Sequence, residues 1–186
     1  MNFNVEASIK LLERTPSVLY GLLNNLSDEW IFLNEGVNSW SPYDVMVHLI
    51  HGEKTDWIPR MEIILSAQEN KQFTPFDRMP ETDITNKPGL NQLLDLFKQL
   101  RESNLDMLKK RKLTDQDLIK TGVHPAFGEV TLAQLLSTWV VHDLNHLAQI
   151  SSVMASQYKD AVGPWVQYLG ILNSRYKAKS NSTMIC

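Results

Sequence analysis

Two histidines one helical turn apart, in the run His142-Asp143-Leu144-Asn145-His146, are the residues of this chain best placed to do chemistry together. At i and i+4 their side chains leave one helical face, so both imidazoles can reach a single metal ion. Leu135, Trp139, Gln149 and Val153 fall near the same stripe. The pair therefore faces the core or its rim and not open water. Imidazole nitrogen suits zinc, nickel, copper and iron(II). Two ligands rarely make a strong site, so a third is expected from another helix. His48 is the first candidate, with Val45, Leu49 and Trp57 near its face, and His51, three residues on, is the reserve. Three histidines leave coordination positions open for water or substrate, which marks a catalytic and not a structural site.

Simpler readings stand beside these. A histidine on an apolar face is usually a hydrogen-bonded core residue. The glutamate of H-E-x-x-H is missing, because Asp143 and Leu144 follow His142; the general base of that motif is therefore absent. Glu53 and Asp56 are candidates for a fourth ligand, a supporting carboxylate or a general base. As acidic helix residues they read more simply as solvated charges. His124 is a candidate substrate contact, although before Pro125 it reads more simply as a turn residue. Trp40, Trp57, Trp139 and Trp165 read as core or interface aromatics. The eight glycines are scattered and form no phosphate-binding loop, and no G-x-S-x-G elbow is present.

The elements that must carry these residues are helical, since apolar positions recur with helical period over most of the chain. The first helix spans about Val5 to Leu26, with a kink or broken turn near Thr15 caused by Pro16. A short segment follows around Trp30 to Leu33. The second helix opens on Ser41 as N-cap with Pro42 in the first helical position. It reaches about Ser66, with Pro59 as a further distortion. Gln68 to Lys87 reads as a long surface loop, uncommon enough in a compact domain to hint at function. The third helix runs from Pro88 or Gly89 to about Lys112, and the fourth from Thr131 to about Tyr158. Four long helices on one chain predict an all-α four-helix bundle, with the histidines at one end. The domain is expected over residues 1–176, with 177–186 as a flexible tail.

Composition narrows the function classes. A chain of 186 residues suffices for one domain with a sizeable core. The net charge of −3, from 18 basic and 21 acidic residues, argues against a nucleic-acid surface. The densest basic run, Lys109-Lys110-Arg111-Lys112, sits where a helix ends, and cations there complement the helix dipole. The single cysteine, Cys186, is the last residue and can form no disulfide within the chain. That fits a reducing, cytoplasmic setting. No signal-peptide core and no apolar run of membrane-spanning length is present, so no membrane partner is expected.

Several segments together resemble the DinB-like superfamily. They are Leu12-Glu13-Arg14-Thr15-Pro16, Trp40-Ser41-Pro42 leading to His48-Leu49, and His124-Pro125-Ala126-Phe127-Gly128. The most specific is Thr131-Leu132-Ala133-Gln134-Leu135-Leu136 continuing to His142 through Ile150. The resemblance implies an up-down-down-up four-helix bundle, here with a short extra C-terminal helical segment, and often a homodimer. It also implies a metal, zinc or nickel, held by one histidine of the second helix and two of the last, matching His48, His142 and His146. Relatives include thiol S-transferases using bacillithiol, mycothiol or glutathione, and many proteins named only as metal-dependent hydrolases. The expected function is metal-dependent thiol transfer in detoxification, with an electrophile under the loop from Gln68 to Lys87. The alternatives are a hydrolase in which the metal activates water, with Glu53 or Asp56 as base, and a metal-binding stress-response module without catalysis. The expected partners are a small-molecule substrate or thiol.

Overall fold

Pro16 breaks the first helix where its missing N–H dictates. In the computed structural model, which describes residues 3–36, 39–77 and 87–173, α1 spans Val5–Leu12 and α2 spans Thr15–Leu23. A short α3, Asp28–Phe32, follows. The second long helix is also divided, into α4 (Pro42–Thr55) and α5 (Trp57–Leu65), with the break at Asp56. Ser41 caps α4 in a reciprocal box with Asp44, which satisfies backbone groups the first turn would otherwise leave open. α6 is Leu90–Lys110, α7 is Asp115–Leu118 and α8 is Leu132–Ser156. Thr131 and Gln134 cap α8 in the same way. Two short 3-10 turns, Gly163–Tyr168 and Gly170–Leu172, form the extra C-terminal helical segment. The expected tail, 177–186, lies outside the described residues.

The direction of each helix can be read from its core contacts. One apolar cluster takes Ile9 and Leu12 from α1, Trp57 to Ile64 from α5, Leu105 and Leu108 from α6, and Leu132 to Trp139 from α8. The other takes Leu19 and Leu23 from α2, Tyr43 to Ile50 from α4, Leu90 to Phe97 from α6, and Ile150 from α8. The first and last helices therefore run one way and the two middle helices the other, giving the up-down-down-up bundle. Two consecutive parallel helices need a crossover along the bundle, and this is the task of the segment between α5 and α6.

The bundle carries one feature outside the all-helical expectation. Strands β1 (Thr121–His124) and β2 (Gly128–Thr131) form an antiparallel hairpin. Residues of the crossover join it: Gln72 bridges Val123 in parallel, with Phe73 N donating to Val123 O at 2.9 Å and Val123 N to Lys71 O at 2.9 Å. Gly122 permits this, since a Cβ there would lie 2.5 Å from the buried Phe73 ring and 2.9 Å from Ile64. No helix among the described residues is long and apolar enough to cross a membrane.

Candidate metal centre

Helix α4 delivers His48 and α8 delivers His142 and His146, and all three are buried. The Nε2 atoms of His48 and His142 lie 3.0 Å apart, and those of His146 and His142 lie 3.1 Å apart. Metal–nitrogen bonds of about 2.0–2.1 Å around one ion require spacings of about this size. Among the described residues these three are the one group of histidine, cysteine or acidic side chains whose ligand atoms all fall within 4.8 Å of one another. His51 does not join them. It is half-buried, its ring 5.0 Å from Phe76.

The surroundings favour the ligating form of His142 and His146. Burial holds His142 well below the ordinary histidine range, helped by the nearby His146, His48 and Arg101. Burial also lowers His146, against the opposing pull of Gln149 and Asp143. Neutral imidazole is the form that binds a metal. His146 Nδ1 sits 2.8 Å from Gln149 Oε1. The amide oxygen can only accept, so Nδ1 carries the proton and Nε2 turns its lone pair inward. Aromatic rings wall the cluster. Trp40 lies 4.7 Å from the His48 ring and stacks near-parallel to His146 at 6.1 Å. Trp57 meets His142 edge-on at 5.1 Å, and Phe76 meets His48 edge-on at 5.4 Å. The donor set and its protonation state thus fit a divalent transition metal.

The site lies midway along the bundle, not at one end. His142 and His146 occupy the middle of α8. Beside them a polar layer separates the two apolar clusters. Arg101, 1% exposed, is its centre. Its Nη1 donates to Asp143 Oδ2 at 2.6 Å and to Leu12 O at 3.0 Å. Its Nη2 donates to Glu53 Oε1 at 2.8 Å and to Asp143 Oδ1 at 3.0 Å. Thr15 Oγ1 donates to Asp143 Oδ2 at 2.6 Å. Trp139 Nε1 reaches Glu53 Oε1 at 3.0 Å, and Asn104 Nδ2 reaches Glu53 Oε2 at 3.0 Å and Glu53 O at 2.7 Å. The carbonyl of Leu12 is open to Arg101 because Pro16, four residues on, has no N–H to offer it.

Two expectations for acidic residues need correction. Glu53 (2% exposed) and Asp56 (4% exposed) are not solvated helix charges. Each is engaged by neighbouring side chains. Glu53 is held by Arg101, Asn104 and Trp139, and Asp56 is ion-paired with Arg60 one turn along. His124 is not a loop residue but the buried last residue of β1 at the hairpin turn, where Ala126 N donates to its Nδ1 at 3.1 Å. Trp57 and Trp139 are core residues stacked at 5.7 Å, whereas Trp165 is 68% exposed and belongs to no core. Of the Gln68–Lys87 loop, the described part places Phe76 against His48 and His51; residues 78–86 lie outside it. Sequence reasoning missed Arg101 and Asn104. Both continue the apolar stripe of Leu90, Leu94, Phe97 and Leu108, and a polar residue on a buried stripe is the signal that marks them.

The family model of the DinB superfamily matches residues 11–150, and the chain belongs to that superfamily. It is 23% identical over 154 residues to a protein of Oceanobacillus iheyensis named "putative metal-dependent hydrolase", covering 82% of this chain and 87% of that one. A protein of Bacillus cereus with the same name is 23% identical over 150 residues, covering 80% of this chain and 84% of that one. Among solved structures, YfiT from Bacillus subtilis superposes with a TM-score of 0.67 at 22% identity, covering 85% of this chain and 87% of that chain. YfiT is described as a probable metal-dependent hydrolase with an unusual four-helix bundle topology, and the likeness establishes the fold.

Proposed function

We propose that this chain is a metal-dependent enzyme that holds one divalent ion on His48, His142 and His146 and activates water in a hydrolytic reaction. The convergence of three buried Nε2 atoms carries the reading. When bound, the ion supplies a Lewis acid that brings the pKa of water or a thiol at an open position toward neutrality. The chain's own residues do the rest. Gln149 holds the proton on Nδ1 of His146, and Trp40 and Phe76 keep bulk water from the flanks of the cluster. Zinc and nickel are the proposed metals, and a small molecule is the proposed substrate. The names of the relatives support hydrolysis.

Thiol S-transfer is the second reading, and one feature favours it. Glu53 is already held by Arg101, Asn104 and Trp139, which favours a nucleophile that needs little help from a carboxylate base. A thiol, with an ordinary pKa of about 8.5, needs less assistance. The experiment is turnover by the zinc- and nickel-loaded protein of ester and amide substrates without thiol, and of chloroarenes and epoxides with several low-molecular-weight thiols. Metal-dependent turnover without thiol supports hydrolysis. Consumption of electrophile only when a thiol is present transfers the assignment to the second reading. Stoichiometric metal with no turnover in either arm leaves a binding module without catalysis.

A further inference from the structure

We infer that Arg101, on a helix that supplies no metal ligand, is the positioning residue that sets the axial register of the two ligand-bearing helices. The inference rests on the metal-centre reading above and goes beyond it in naming what builds the centre.

The cross-section at Arg101 is unusual for a helical core. Thr15 opens α2, Glu53 is on α4, Arg101 and Asn104 are on α6, and Asp143 is on α8, with apolar clusters to either side. An apolar layer would let the helices slide by fractions of a turn, because dispersion contacts have little directionality. Hydrogen bonds do not permit this. One planar guanidinium holds Glu53, five residues beyond His48, and Asp143, the neighbour of His142. Asn104 adds a second grip on α4 through Glu53. Slippage of α4 against α8 would break this bridge as it parted the Nε2 atoms. Stability alone does not explain such a layer: buried ion-pair networks can often be replaced by apolar residues without loss, and register is their best-attested use.

The test separates register from stability. Zinc affinity and the cobalt(II) absorption spectrum are measured for the parent, Arg101→Lys, and the triple variant Glu53→Met, Arg101→Met, Asp143→Leu. Each is studied at a temperature where circular dichroism shows it folded. Lysine keeps the charge but cannot grip both carboxylates. The expected result is zinc binding weaker by about 10-fold or more in both variants, with an altered cobalt spectrum, whatever their melting temperatures. Parent-like affinity and spectrum in either folded variant would overturn the inference. So would collapse of both variants while the metal-free parent stays folded, since the layer would then hold the bundle and not the site. Failure of the parent to bind zinc or cobalt would instead remove the metal-centre reading itself.

Discussion

Gln149 Oε1 lies 2.8 Å from His146 Nδ1, one turn along the helix that carries both residues. The contact fixes the imidazole tautomer and aims its other nitrogen at His142 and His48. Replacing Gln149 with leucine keeps the volume and removes the acceptor. Zinc affinity should fall by about 10–100-fold, the usual effect of removing a partner of a ligating histidine. The fold should survive, because Gln149 is only half-buried. Competition against a chromophoric chelator measures this, and unchanged affinity would show that the ring is oriented by its packing alone.

Gly122 is required for the crossover to sit on the hairpin. A methyl group there meets the Phe73 ring at 2.5 Å and Ile64 at 2.9 Å, and both are fully packed. Gly122→Ala should destabilise the protein by about 1–3 kcal/mol. Urea denaturation of the metal-free protein checks the value. Local proteolysis near Lys71 should rise with it, since the crossover is pinned through this strand.

Asp56 gives the metal-free protein a defined pH dependence. Burial raises its pKa to about 6, against the opposing effect of Arg60. In an unfolded chain the value is about 3.9. The folded state thus holds this proton more tightly than the unfolded state. The contribution favours folding fully below about pH 4 and is lost as pH rises to about 6. The whole loss is about 3 kcal/mol, and Asp56→Asn should remove it. Stability curves of parent and variant should diverge across that window as pH rises, and parallel curves would rule the effect out.

Much of the scaffold was legible because its causes are local. Ser41-Pro42 marked the start of α4, Pro16 marked the break between α1 and α2, and the period of Leu90 to Leu108 marked α6. The break at Asp56 falls three residues before Pro59, where the sequence placed only a distortion. The His142/His146 pair was legible from helical geometry. His48 and His51 were not separable by geometry, since both lie on α4; the resemblance pointed to His48, and packing brings only its ring to the pair. The hairpin was missed because its strands are four residues each and contain glycine. The polar layer was missed because each member pairs across helices far apart in the chain. Glu53 and Asp56 were read as solvated because a charge on a single helix says nothing of what the next helix brings to it.

Metal content tests the central claim most directly. Purified protein, stripped and reloaded with zinc or nickel, should retain one ion per chain after desalting. His48→Ala, His142→Ala and His146→Ala should each lose it while remaining helical by circular dichroism. Zinc at about 100 times its dissociation constant should also stabilise the parent by about 2.7 kcal/mol, and none of the three variants. Stoichiometric metal retained by the substituted chains, or none bound by the parent, would contradict the three-histidine centre.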